Sequence, residues 1–173
     1  MEDVLRRHGV TLALGEAVTG FVQQASGEIA VQTKAGTTYP ANIVILALGV
    51  RPDTALAKSA GLQLGERGGI KVDEHMRTSD PDIYAVGDAV EVHDVVTGAD
   101  TLLALAGPAN RQGRIAADAM KGRSSRFRGV QGTAIIGLFG TTVAWTGASE
   151  KTLRRLGRDD FEKIYLYPNH HAR

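Results

Sequence analysis

The sequence predicts an α/β chain that closes with a short α+β segment. Three observations carry that prediction. Residues 42–49 (Asn-Ile-Val-Ile-Leu-Ala-Leu-Gly) are almost wholly apolar, the pattern of a strand covered on both faces in a parallel sheet. A run of high helix propensity, opened by Pro108 and closed by Lys121-Gly122, follows a second short apolar run at 83–86. The last third then reads strand, strand, helix, strand.

Taken in order, residues 4–8 predict the end of a helix, closed by Gly9. Residues 12–15 and 17–22 read as strand, and 29–33 alternates into a hairpin-like turn at 34–37. Residues 38–41 lead into the run at 42–49, so a small antiparallel meander feeds a buried parallel strand. Pro52 bars helix at Arg51. Asp53 or Thr54 caps a short helix to about Ala60, stopped by Gly61. Residues 65–69 form a loop, 70–73 a short strand and 83–86 a buried strand. Residues 89–94 continue into a loop at 97–100, and the Pro108 helix follows. Residues 123–128 are basic and polar, a solvated linker. Residues 133–139 and 141–147 are strands around Gly140, Ser149 opens a helix that ends at Gly157, and 161–167 alternates as a final strand.

Composition narrows the function classes. The 173 residues carry 20 Lys plus Arg against 19 Asp plus Glu, a net charge of +1. That balance makes no electrostatic case for nucleic acid or an anionic membrane as partner. No apolar run is long enough to span a bilayer. Residues 1–7 are too charged for a signal peptide, so a cytoplasmic protein is expected. The chain has no cysteine, which excludes disulfides and any thiol chemistry of its own. The adjacent His170 and His171 have no third ligand in view and predict no metal site.

The chemistry concentrates at residues 78–89. Thr78 is followed after four residues by Ile83-Tyr84-Ala85, then one residue, then Gly87-Asp88. Gly87 has no Cβ and lets a ligand approach the backbone. Asp88 falls just past the carboxyl end of the expected strand, where open α/β sheets place ligands. A carboxylate there can accept hydrogen bonds from the hydroxyls of a sugar or sugar alcohol. An Asp that merely caps a helix or turn is the plain alternative for Gly-Asp alone.

The whole twelve-residue pattern resembles the second flavin-binding motif of the FAD-dependent pyridine nucleotide-disulfide oxidoreductases. The resemblance implies that Asp88, beside Gly87, binds the ribityl chain of FAD. Residues 45–53 resemble the strand and turn that close the NAD-binding domain, with Gly49 along the nicotinamide side of the cofactor. Residues 105–113 resemble the helix whose N-terminus, here Leu105-Ala106, points at the flavin ring, with Ala104 where the family often has Pro. Such a helix end, with its free N–H groups and positive dipole, favours negative charge at the flavin pyrimidine edge. Asn110, Arg111 and Gln112 read as ordinary polar helix surface. The strand-strand-helix-strand segment resembles the start of the family's dimerisation domain, and residues 165–172 resemble the coenzyme A-disulfide reductase and NADH oxidase type.

No Gly-x-Gly-x-x-Gly occurs, although the family uses two, one for FAD and one for NAD. The expected fold is therefore partial nucleotide-binding (FAD/NAD) domains with a partial α+β interface domain. Its boundaries are 1–54 for the C-terminal part of the NAD-binding domain, 55–122 for the second FAD-binding segment and 123–173 for the start of the interface domain. The resemblance implies part of a flavoprotein that moves electrons from NAD(P)H via FAD to a disulfide, oxygen or related acceptor, with no catalytic residue assigned on this chain. A ferredoxin-reductase-like enzyme is the nearest rival. A non-catalytic folding and dimerisation module without bound cofactor is the competing class. Self-association through residues after about Phe127 is expected, because apolar faces at Ile135, Leu138, Val143, Ile164 and Leu166 lack cover.

Overall fold

The computed structural model describes residues 1–167; His170 and His171, and most of the run at 165–172, lie outside the described residues. The chain divides into two units, residues 1–50 with 137–143, and residues 51–136 with 144 onward.

In the first unit, helix α1 (Glu2–Arg7) places acids in its first turn and arginines in its last, as the helix dipole favours. Gly9 follows in the left-handed conformation, φ +78°. Strands β1 (Val18–Gln23), β2 (Ile29–Thr33) and β3 (Thr38–Ala41) form the expected antiparallel meander, with Val31 opposite both Phe21 and Tyr39. The 34–37 turn closes with Gly36 at φ +84°. The Tyr39 hydroxyl donates to Glu16 Oε1 at 3.0 Å. That bond to a carboxylate raises the tyrosine above its ordinary range. Phe139 stacks on the His8 ring at 4.4 Å.

Two expected strands of this unit are not formed. Residues 12–15 form no strand, being irregular at 12–13 and a turn at 14–15, with Gly15 at φ +77°. Residues 42–49 pair with nothing among the described residues, and Ile43, Ile45 and Leu48 stand exposed, Ile45 at 86%. A central strand needs neighbours on both edges, and its apolar pattern alone does not supply them.

The second unit begins with helix α2 (Ala55–Ser59). Thr54 precedes it without capping through its side chain; its hydroxyl donates to the Gly68 carbonyl at 3.1 Å. Residues 70–73 form single bridges only, Ile70 to Leu64 and to Val90. Residues 83–86 are likewise not a buried strand: Tyr84 bridges Arg77, while Ile83 and Val86 are exposed. Tyr84 and Ala85 between them face the core. Residues 89–102 hold a hairpin that the sequence reading missed, β4 (Glu91–His93) against β5 (Asp100–Leu102).

Helix α3 (Ala106–Met120) is the longest element, with Pro108 in its first turn and Gly122 at φ +73° past its end. Its Ile115 and Ala116 pack with Met76, and Val90, Val92 and Val130 form a second cluster. Val72 and Phe127 touch both clusters. Phe127 overturns the solvated linker expected at 123–128. Its N–H donates to the Glu74 carbonyl at 2.7 Å, His75 Nδ1 lies 2.8 Å from the Ser125 carbonyl, and Ser125 Oγ donates to Asp118 at 2.6 Å.

Those contacts give a pH signature. Ser125 first, then Arg123 at 3.0 Å, hold the Asp118 carboxyl below the usual carboxylate range. A depressed folded-state pKa stabilises above the unfolded carboxylate's pKa, and the contribution is lost as pH falls through the folded value. Asp118→Asn is therefore expected to lower the urea midpoint at neutral pH, and the gap to the parent to close in acid. A gap that is constant with pH contradicts the assignment.

Strands β6 (Ala134–Leu138) and β7 (Thr141–Trp145) pair as a hairpin around Gly140, as expected. Ser149 caps helix α4 (Glu150–Arg155) by accepting from the Thr152 N–H at 3.2 Å. Residues 161–167 are not the expected strand. They make no ladder among the described residues, although Lys163 reaches Glu150 at 2.9 Å, and Leu166 is 81% exposed.

Candidate functional site

The site is built on the turn that follows Tyr84-Ala85. Thr78 closes the approach to it by hydrogen bonds within its own loop. Its N–H donates to the Ile83 carbonyl at 2.9 Å, and its hydroxyl accepts from the Asp80 N–H at 3.2 Å. Gly87 then takes φ +89°, a conformation that L side chains avoid, and a Cβ there would meet nothing within 4 Å. The backbone is thus open to a molecule in front of it. The Gly87 carbonyl accepts from the Val90 N–H at 3.3 Å. Asp88 is exposed, and among the described residues its carboxylate accepts no hydrogen bond. It is an ionisable acceptor that caps no helix or turn among the described residues.

The second part is the start of α3. Leu105, in extended conformation, provides no side-chain cap, so the amides of Ala106 and Gly107 have no intrahelical acceptor. Pro108 removes the next donor. A cleft of about 290 Å³ opens beside this end, lined by Leu105, Gly107, Pro108, Arg111, Phe127 and Thr133 among others.

One residue joins the two parts, and it was read from the sequence as surface. Gln112 is 1% exposed, and its Oε1 accepts from the Gly87 N–H at 2.7 Å. The signal was present in the spacing. Gln112 lies three and four residues before Ile115 and Ala116, on the helix's buried stripe. A polar group on that stripe needs an internal partner, and Gly87 is it. Asp88, Gly87, Leu105 and Ala106 therefore belong to one unit. Gly49 lies in the other, on the exposed stretch after residue 42, at φ +88° with nothing within 4 Å of a Cβ. Among the described residues no three His, Cys, Asp or Glu side chains gather as metal ligands, and no helix is long and apolar enough to cross a membrane.

Residues 1–113 match the family described as pyridine nucleotide-disulphide oxidoreductase. The chain belongs to that family. An NADH oxidase of Lactococcus lactis subsp. cremoris is 36% identical over 166 residues, covering 94% of this chain and 37% of that protein. An NAD(P)H coenzyme A polysulfide/persulfide reductase of Pyrococcus horikoshii is 36% identical over 92% of this chain and 35% of its own length. Among solved structures, reduced Bacillus anthracis CoADR-RHD superposes with a TM-score of 0.84 at 45% identity, over 91% of this chain and 28% of that one. The chain thus spans little more than a third of the curated relatives it matches. The partial α/β fold expected from the sequence agrees with that likeness.

Proposed function

We propose that this chain is the part of a flavoprotein oxidoreductase that holds the ribityl chain and pyrimidine edge of FAD. The enzyme would move electrons from NAD(P)H to a disulfide, oxygen or related acceptor. The observation that carries the reading is the Gly87–Asp88 turn. It presents an exposed carboxylate without a partner among the described residues beside an open glycine, on the same unit as an uncapped helix start. These groups fit the cofactor. Asp88 can accept from ribityl hydroxyls, and the Ala106 and Gly107 amides can donate to an anionic ring edge. When bound, FAD supplies the hydride and electron transfer chemistry. Gly49 would offer bare backbone to the nicotinamide side of NAD(P)H.

The reading extends to two further points. The 173 residues alone hold FAD weakly or not at all and consume no NADH, because they carry neither a Gly-x-Gly-x-x-Gly pyrophosphate loop nor a thiol. A second copy covers the exposed Ile135, Ile164 and Leu166, making a homodimer or higher oligomer through residues after about Phe127.

The test uses the full-length protein that carries this chain. It should purify yellow with bound FAD, run as a dimer or higher oligomer in light scattering, and lose its visible flavin absorbance on anaerobic addition of NADH or NADPH. A colourless protein that takes up no FAD overturns the proposal. Reoxidation by air, compared with reoxidation by a disulfide or persulfide, identifies the acceptor.

A further inference from the structure

We infer that Gln112 is the positioning residue of the flavin site, acting through the Gly87 N–H and not by touching the cofactor. The inference rests on the reading of Asp88 given above. Asp88 is exposed and accepts no hydrogen bond among the described residues, so its direction depends on the backbone that carries it. Glycine at φ +89° is the most permissive point in that backbone. Two hydrogen bonds restrain it: the Val90 N–H to its carbonyl at 3.3 Å, and its own N–H to Gln112 at 2.7 Å. The shorter one comes from a helix that is itself fixed by Ile115 and Ala116 in the core.

The same helix starts at Ala106, six residues before Gln112 and about 9 Å away along the axis at 1.5 Å per residue. One rigid element thus sets both groups expected to meet the flavin. Its N-terminus does so directly, and Asp88 is set through Gln112 and Gly87. The bond also occupies the Gly87 N–H, so a ligand at this turn meets the Asp88 carboxylate and not that amide. A surface glutamine, as the polar run Asn110-Arg111-Gln112 suggests by itself, would do none of this.

Two substitutions separate positioning from packing. Gln112→Met keeps length and volume but has no comparable acceptor; Gln112→Asn keeps the amide but falls short of Gly87. Amide hydrogen exchange on this chain is the first readout. In either variant Gly87 should exchange at least about tenfold faster while Ile115 stays within about twofold, since local opening is read separately from global unfolding. FAD affinity of the full-length protein is the second. Each variant should bind about tenfold more weakly, and adding Asp88→Ala should cost little more, because both changes remove the same contact.

Additive losses, or a Gly87 exchange rate that rises only in step with Ile115, overturn the inference. So does full FAD affinity in Gln112→Asn while Asp88→Ala alone loses FAD. If Asp88→Ala itself leaves FAD affinity unchanged, the flavin reading of the site fails first, and the positioning role falls with it; the exchange data still show whether the Gln112 bond holds the turn.

Discussion

Asp88→Ala is expected to weaken FAD binding by the full-length protein about ten- to a hundredfold, with its folding unchanged. A hydrogen bond to a charged group is worth roughly 1.5–3 kcal/mol, which is about one to two decades of affinity. The carboxylate is exposed and holds no partner among the described residues, so its removal leaves no buried donor unsatisfied there. The two measurements that check this are FAD retention on dialysis and the thermal midpoint of the apoprotein. Retention equal to the parent sinks the ribityl assignment. A lowered apoprotein midpoint would show instead that Asp88 caps the turn, as a bare Gly-Asp would.

Met76→Ala is expected to lower the stability of the second unit by about 2–5 kcal/mol, the range for large-to-small changes in a well-packed core. Met76 is 1% exposed and packs with Ile115, Ala116, Val72, Tyr84 and Phe127. It does so at φ +67°, where non-glycine residues are strained. The surrounding turn holds it there. Asp73 accepts from the His75 N–H at 2.8 Å and the Arg77 N–H at 2.9 Å, and the Met76 carbonyl accepts from Ala85 at 3.1 Å. Alanine keeps the strain and gives up the burial. Leu56→Ala on α2, at an exposed position, is the control and should move stability by no more than about 0.5 kcal/mol. Equal effects of the two substitutions in urea denaturation would show that the Met76 cluster is not the core of this unit.

Several features were legible in the sequence because their physics is local. The β1–β2–β3 meander follows from alternation and from the 34–37 turn with its glycine at Gly36. Helix α3 follows from its propensity, Pro108 and Gly122, and α4 from the Ser149 cap. That Gly87 leaves its backbone open and is followed by an acid was also readable, because both follow from residue type; the left-handed φ of Gly87 and the exposure of Asp88 came only with the structure. The β4–β5 hairpin was missed because Glu91-Val-His93 and Asp100-Thr-Leu102 are too short to show a period.

What only the tertiary structure decided concerns relations between distant segments. Residues 42–49 and 161–167 have strand composition, yet a strand exists only where another edge meets its N–H and C=O groups, and none does among the described residues. The basic stretch 123–128 looked solvated until Phe127 found two apolar clusters. Gln112 looked like surface until the fold brought Gly87 to it across 25 positions. The sequence by itself thus determined the turns, the helices and the chemical types at the site. The tertiary structure decided which polar side chain is buried and what it holds, because burial and partnership belong to pairs of segments and not to either one alone.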